Sequence, residues 1–407
     1  MVEIRFISKD DIAEFVSADR YGFGHDDPTD GNTMFEQWLV DSDAVSQSIA
    51  AFDKGRIVGT FSSYPLQLTV PGGSSVGMAG TTWVTVQATH RRQGILTKMM
   101  GLHLHQAVEQ GNVVAGLEAS EETIYGRFGY GPACRALALT IPTGQLTVPS
   151  GPPHIELRTL TPDEESQLLP DLYSSTLGAT PGAYARSEQW WQARHFTDRP
   201  NGRQGFGQRR VVAAFIDAEP MGYVVFRLAS SWSEGLPTGR LQVVELGYRS
   251  DDVRRALWHH VCSVDLFPTV EATSATDDPI LLEVDRRRPI KAAEFDTLWI
   301  RPLDIVAALS NRSYEADGSI VIEVADEFLK RGGRFALAVV DGRAECVPSS
   351  KPVDVVMTAA TLGRIYLGGS SAIHLARSRH IDGDAKAVAK LDRLFRTSMA
   401  PHCPELF

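Results

Sequence analysis

Between residues 56 and 86 apolar and β-branched positions interleave with small polar ones through "RIVGTFSSYPLQLTVPGGSSVGMAGTTWVTV", broken by Pro71-Gly72-Gly73. That composition with a Pro-Gly-Gly break predicts an antiparallel meander. The period changes directly afterwards: "GILTKMMGLHLHQAVEQGN" sets Ile95, Met99 and Leu102 on one helical face and meets a stop signal at Gly111-Asn112. A buried-type strand, "VVAGLEA", is expected at 113–119. Ser120 then precedes Glu121 and Glu122, a hydroxyl cap followed by acids that suit the helix dipole, so a short helix carrying Tyr125 is predicted. The start, "MVEIRFISKDDIAEF", reads as a strand and then a helix opened by Ser8.

The same order recurs further on. A Pro/Gly/Ser-rich stretch near 141–154 reads as a linker, and "RTLTPDEESQLLPDLYSS" opens a second unit with a capped helix. "VVAAFIDAEPMGYVVFRLAS" and "GRLQVVELGYRSDDVRRALWHHVCSV" repeat hairpin, strand, turn and helix, like a degenerate copy of the first unit. From about 290 the pattern shifts to "GSIVIEV", a hairpin turning at Asp341-Gly342, and two helical stretches, an α+β arrangement. Three domains are expected, at 1–150, 151–288 and 289–407, which suits a 407-residue chain because one core seldom grows past about 300 residues.

Composition narrows the classes. No apolar run approaches the roughly 20 residues a bilayer span needs, and the amino terminus carries no basic-then-apolar leader, so no membrane partner and a cytoplasmic location are expected. Cys134, Cys262, Cys346 and Cys403 form no CxxC, so neither a metal site nor a disulfide framework is indicated. Forty Lys plus Arg against 50 Asp plus Glu disfavour nucleic acid and suit a cationic small molecule or basic peptide.

The chemistry concentrates in "WVTVQATHRRQGILTKMM". A strand ends in a polar turn with Arg91, Arg92 and Gly94, and a helix starts at once. Unpaired amides and the positive end of a helix dipole attract anions, glycine lets backbone approach a phosphate, and two arginines add charge. A pyrophosphate would fit. Neither GxxxxGK[ST] nor GxGxxG is present at this turn. The matching turn of the central repeat reads "GYRSDDVRR", where Asp251 and Asp252 would repel phosphate.

"VTVQATHRRQGILTKMM" resembles motif A of the GCN5-related N-acetyltransferases (GNAT), whose (Q/R)xxGx(G/A) loop binds the pyrophosphate of acetyl-CoA, although Leu96 stands where Gly or Ala is usual. "ATHRRQGIL", "ASEETIYGRFGYGPA", the central repeat, "GGRFALAVVDGRAECVP", "LGRIYLGG" and the ending "PELF" together resemble the Eis (enhanced intracellular survival) acetyltransferases, in which Leu is tolerated at that place. The resemblance implies tandem GNAT folds with mixed, mostly antiparallel sheets and flanking helices, then a sterol-carrier-protein-like α+β domain. It further implies that only the first fold binds acetyl-CoA and that the chain forms a homo-oligomer, a hexamer.

Site residues follow from the motif positions. Backbone around Val84, Thr85 and Val86 would hold the pantetheine and the thioester oxygen, while Arg91, Arg92, Gln93, Gly94, Ile95, Leu96 and Thr97 would hold the pyrophosphate, with Ser120 and Glu121 facing the same cleft. Tyr125 matches the family's general acid; its ordinary pKa near 10 keeps it protonated at pH 7 and matches a thiolate leaving group. The terminal carboxylate of Phe407 corresponds to the family's general base, with Glu405 as an acidic neighbour of the amine. Trp38 resembles a pocket aromatic, and Asp26 and Asp27 would attract ammonium groups. Tyr130 reads as a core aromatic, and His90, His103 and His105 stay outside the site because none has a partnering carboxylate at readable spacing. The expected activity is acetylation of amines on aminoglycoside-like cations or on lysine side chains. The alternatives are a non-catalytic carrier using its last domain and an acetyltransferase acting on protein amino termini.

Overall fold

Asp341 and Gly342 take φ of +49° and +73°, the left-handed pair that the Asp-Gly turn called for, and the strands Gly333–Val340 and Arg343–Pro348 pair antiparallel around them. The meander is likewise a long hairpin, Arg56–Thr69 against Ser75–Val86, turned at Gly72 and Gly73. These features come from a computed structural model that describes residues 2–25, 39, 44–198, 200–405 and 407. Trp38, Asp26, Asp27 and Leu406 lie outside the described residues.

The described chain divides into two units, one formed by Met1–Cys134, Thr297–Ser398 and Leu406–Phe407, the other by Arg135–Asp296 and Met399–Glu405. In the first, a seven-stranded sheet runs in the order Glu3–Phe6, Ile49–Asp53, Arg56–Thr69, Ser75–Val86, Val114–Glu118, Leu298–Pro302, Gly131–Pro132. The second unit has its own seven-stranded sheet, with Glu156–Thr159, Arg210–Ile216, Glu219–Ala229, Arg240–Tyr248, Thr269–Ala275, Arg135–Pro142 and Lys291–Asp296 in the same relative order. Each sheet therefore takes its sixth strand from the far side of a chain crossing, at 134/135 in one direction and 296/297 in the other. Nothing in the strand's own pattern foretells this, because an apolar strand reads alike whichever sheet receives it. The linker-like stretch from 141 begins inside that exchanged strand.

The helix Ile95–Glu109 forms where expected and is followed by Gly111 at φ +76°. Its buried face is Ile95, Met99, Met100, His103, Leu104 and Ala107; Leu102, assigned to that face from the sequence, is only half-buried. The i, i+4, i+8 row passes through His103, whose ring finds a hydroxyl and can be buried. The cap at the next helix is also displaced by one residue. Glu121 rather than Ser120 precedes Glu122–Tyr125, and no side chain caps it. A four-residue helix is one turn, so its start follows the end of the preceding strand rather than the cap residue.

The five-stranded sheet of the carboxy-terminal segment, in the order Arg343–Pro348, Gly333–Val340, Gly318–Ala325, Val355–Thr358, Ile381–Gly383, packs with its helices around Ile322, Leu362, Leu391 and Phe395. Its helix Ala359–Ile365 meets the first sheet backbone to backbone: a Cβ on Gly363 would strike the Ile300 carbonyl, and one on Gly131 the Ala360 carbonyl. Both glycines stand in motifs, "LGRIYLGG" and "FGYGPA", and what they supply is the missing side chain.

In the second unit, Arg186 pairs with Glu245 and donates Nε to Glu405 at 2.9 Å. The indole of Trp190 donates to both Glu405 oxygens at 3.1 Å, and His195 sits at 3.1 Å. Burial alone would raise the Glu405 carboxyl, but Arg186 and His195 win and hold it at about 2. The tail is fastened further by Ala400 N–H to Asp277 at 2.7 Å and His402 N–H to the Pro181 carbonyl at 2.8 Å.

Two stability outcomes follow. Gly363→Ala gains about 1 kcal/mol of helix propensity but forces a Cβ into a backbone carbonyl, so thermal unfolding should show a net loss of about 2 kcal/mol. Glu405→Ala should cost about 3 kcal/mol, since it leaves buried donors uncompensated. Because the Glu405 pKa is lowered, its contribution is present above the ordinary value of 4.5 and is lost as pH falls towards about 2. Denaturation curves at pH 7 and pH 2.5 should therefore separate wild type from Glu405→Ala at the first pH much more than at the second.

Candidate active site

Two parallel strands part company at the centre of the first sheet. Ser75–Val86 and Val114–Glu118 are paired from Met78 with Val114 to Thr81 with Leu117, and no further. Beyond Thr81 that ladder stops among the described residues, and Val84, Thr85 and Val86 lie on the stretch of strand that continues past it. On the other edge the register against Arg56–Thr69 slips between Thr60 and Ser62, where Trp83 takes φ +54°. One extra residue on the strand is a β-bulge, which bends it and raises its twist. The bend is what turns the strand out of the ladder. Trp83 stacks on Phe15 of the helix Ile12–Gly22, ring centroids 6.0 Å apart.

The strand then enters the arginine turn. Arg91 donates Nε to the Val86 carbonyl at 3.2 Å, Arg92 stands at φ +61°, and Gly94 caps the helix Ile95–Glu109 at φ +78°. A Cβ on Gly94 would meet nothing within 4 Å, so glycine is needed there for its backbone angle rather than for space. Arg91, Arg92, Gln93, Gly94 and Thr97 are exposed, Leu96 is half-buried and Ile95 is in the core. First-turn amides have no carbonyl a turn earlier to bond. An exposed helix start with two arginines and, beside it, a strand edge past the end of its ladder has the donors that a phosphate and an amide-bearing arm require, and acetyl-CoA fits these residues.

Val114–Glu118 leads through exposed Ser120 and Glu121 to Tyr125, the last residue of its helix. Tyr125 and Tyr130 meet edge to face at 6.3 Å. Their hydroxyls differ. Tyr130 is fully buried and its Oη lies 3.2 Å from Thr81 Oγ1, with Met100 Sδ at 3.8 Å, while His103 Nε2 takes the same threonine at 2.9 Å. Among the described residues no hydrogen bond engages the Tyr125 hydroxyl. Burial raises its pKa, so it stays protonated at neutral pH. Burial pushes His103 down to about 3 and keeps its imidazole neutral. His90 pairs with Asp53 at 3.4 Å, and His105 bonds the Gly101 carbonyl on its own helix at 2.6 Å.

Thr81 and Thr82 face opposite sides of the sheet, as successive strand residues do. Thr81 looks towards His103 and Tyr130; Thr82 looks towards Phe407, donating Oγ1 to the Phe407 O at 3.1 Å. The Phe407 ring also packs on Gly80, where a Cβ would lie 3.0 Å from Cε2. Phe407 thus lies beside the residue at which the strands begin to part. Glu405, expected near the amine, has its carboxylate enclosed by Arg186, Trp190 and His195, so its visible task is to anchor the tail.

The second unit builds the corresponding turn with other contents. Arg240–Tyr248 runs parallel to Thr269–Ala275 from Arg240 to Val243 and carries a register shift against Glu219–Ala229. Ser250 caps the helix Asp251–Cys262 by accepting from Val253 N–H at 3.4 Å. Asp251 and Asp252 pair with Arg254 and Arg255, and fully buried Arg254 also donates to Glu283 at 2.7 Å. Carboxylates and an internal ion network occupy the place where the first unit offers arginines and open amides.

Models of an acetyltransferase (GNAT) domain match residues 3–133 and 182–301, and a sterol carrier protein domain matches 305–404. An uncharacterized N-acetyltransferase of Streptomyces avermitilis is 33% identical over 100% of this chain and 99% of its own. The N-acetyltransferase Eis of Mycobacterium tuberculosis is 32% identical over 84% of each chain. The crystal structure of Eis1 from Mycobacterium abscessus superposes with a TM-score of 0.84 at 28% identity, covering 100% of both chains. With two acetyltransferase folds, a sterol-carrier-type third segment and these relatives along its length, the chain belongs to the Eis family of GNAT N-acetyltransferases.

Proposed function

We propose that this acetyltransferase moves acetyl from acetyl-CoA to primary amines of cationic small molecules, aminoglycoside-like compounds at one or more amines, or to lysine side chains, with Tyr125 as general acid and the Phe407 carboxylate as general base. The observation that carries the proposal is the gap between Thr82–Val86 and Val114–Glu118, with Phe407 at its start and the arginine turn at its far end. Bound acetyl-CoA would supply an activated acetyl group. The backbone of Val84 to Val86 would hold its pantetheine arm, and Arg91, Arg92 and the amides of 93–97 its pyrophosphate. We assign one acetyl-CoA to each chain, because Asp251 and Asp252 repel phosphate at the second turn.

The proton path has two ends on opposite sides of the strand. Phe407 lies on the Thr82 face, where the amine would approach and lose its proton to the carboxylate; position rather than basicity serves here, as a carboxyl with an ordinary value of about 3.5 is a weak base. Tyr125 belongs with the core on the Thr81 face, and its Oη–H, unengaged among the described residues and kept protonated by burial, can go to the departing sulfur. Trp38 and Asp26 would line the acceptor side, and the net charge of −10 favours cationic acceptors. No helix among the described residues is long and apolar enough to cross a membrane. We place the enzyme in the cytoplasm as a homo-oligomer, a hexamer by family resemblance, with 1–150 catalytic, 151–288 free of cofactor and 289–407 supplying the terminal carboxylate.

Tyr125→Phe should lower kcat by about 100-fold or more with the KM for acetyl-CoA within about twofold, and unchanged turnover would remove Tyr125 from the mechanism. Three residues appended after Phe407 move the charge away from Thr82. Acetylation, followed by mass spectrometry across a panel of amines, should then collapse while the melting temperature stays put; undiminished product would exclude the carboxylate as base.

A further inference from the structure

Under the helix Ile12–Gly22 runs a short line of hydroxyls that ends in a carboxyl group. Thr60 Oγ1 donates to Asp19 Oδ1 at 3.2 Å and shares a second hydrogen bond, 2.7 Å long, with Thr85 Oγ1. Thr60 is fully buried and Thr85 nearly so. The helix is seated hard on this spot, since a Cβ on Gly22 would fall 2.6 Å from Thr85 Cβ. Thr60 and Thr85 are direct cross-strand partners, and Ser62 with Thr82, the threonine that holds Phe407, is the next matched pair on the same two strands.

A hydroxyl has one hydrogen to donate, and that fixes the direction of the line. While Asp19 is ionised, Thr60 gives its hydrogen to the carboxylate and Thr85 gives its own to Thr60. Thr85 Oγ1 then keeps only lone pairs for any further partner. With the proton of a neutral Asp19 aimed at Thr60, both bonds reverse and the Thr85 hydrogen is released. Burial raises the Asp19 carboxyl to about 7, with the Thr60 bond and Arg20 opposing it, so both states are populated near neutrality. The surrounding groups leave this balance to Asp19. Arg20 is the charge acting on it, Glu14 of the same helix accepts from Ile57 N–H at 2.9 Å, and Arg56 and Tyr64 are the titratable side chains of the strand beneath. The other strand, Ser75–Val86, carries no titratable side chain.

We propose that Asp19 is a positioning residue for acetyl-CoA: its protonation, relayed through Thr60, decides whether Thr85 presents a hydrogen-bond donor or an acceptor on the parted stretch Thr82–Val86. The proposal rests on the acetyl-CoA reading of that stretch. It adds a residue from the first helix that no cofactor motif contains, and it makes cofactor affinity sensitive to pH on the protein's side.

The test uses the full chain with Asp19→Asn, Thr60→Val and Thr60→Ser, and measures melting temperature from pH 4 to 8 and the Kd of acetyl-CoA by calorimetry from pH 6 to 8. A carboxyl raised in the folded state stabilises when neutral, fully so below its ordinary value of 3.8, and that contribution is lost as pH climbs through about 7. Wild type should therefore lose melting temperature relative to Asp19→Asn over this range. Nucleotide phosphates titrate too, so the ratio of wild-type to variant Kd is the quantity to read. It should change about threefold or more between pH 6 and 8 for Asp19→Asn and Thr60→Val, and stay level for Thr60→Ser, which keeps the hydroxyl. Binding whose pH dependence is the same in wild type and Asp19→Asn overturns the role of Asp19 alone. No acetyl-CoA binding by folded wild type at any pH overturns the reading of the strand, and this proposal with it.

Discussion

A single interrupted ladder organises the candidate active site. After Thr81 pairs with Leu117, the bulge at Trp83 carries the central strand away from its parallel neighbour, and among the described residues the ladder stops there, leaving a strand edge inside the sheet. Such an edge is costly to leave without hydrogen-bonding partners, which makes it a natural place for an amide-bearing ligand. The other site features take their places from it: the arginine turn lies at the strand's end, Tyr125 follows the strand that stayed behind, and Phe407 packs where the parting starts.

The alternation of faces along the strand then divides the chemistry. Thr81 closes a buried cluster with His103 and Tyr130, in which burial keeps the histidine neutral. Thr82, one residue on, turns the other way and bonds Phe407. This explains why the twin Tyr-Gly pairs of "IYGRFGYG" differ in use. Tyr130 has its hydroxyl bound into the core, whereas Tyr125 keeps its own unengaged among the described residues. The second unit repeats the bulge and the short parallel pairing, but Ser250 caps its helix and Asp251, Asp252, Arg254 and Arg255 neutralise one another. One strand plan thus carries different electrostatics, and the turns that follow differ in backbone as well, left-handed at Gly94 and extended at Ser250.

Much of the fold was legible in local pattern. The hairpins at Pro71-Gly72-Gly73 and Asp341-Gly342, the helix from Ile95, the capped helix from Thr161 and the inverted charges at 251–252 each depend on residues a few positions apart. The failures share a cause. Leu102 was placed on a buried face that His103 occupies, because the ring's partner, Thr81, is distant in sequence. Glu405 read as an acidic neighbour of the amine, because nothing local announces Arg186 and Trp190. Asp19 carries no motif at all, and its partner Thr60, with Thr85 bonded beyond it, comes from strands distant in sequence.

By itself, then, the sequence determined the elements, the two copies of one plan, the third segment and the arginine-rich, glycine-capped character of one turn, since periodicity, turn chemistry and charge act over short separations. Only the tertiary structure decided which sheet receives the strands at 135–142 and 298–302, where Phe407 comes to rest, and which tyrosine has a hydroxyl that no described residue engages. Each of those outcomes depends on groups that meet across long stretches of chain, where burial and hydrogen-bond satisfaction, rather than local preference, choose the partner.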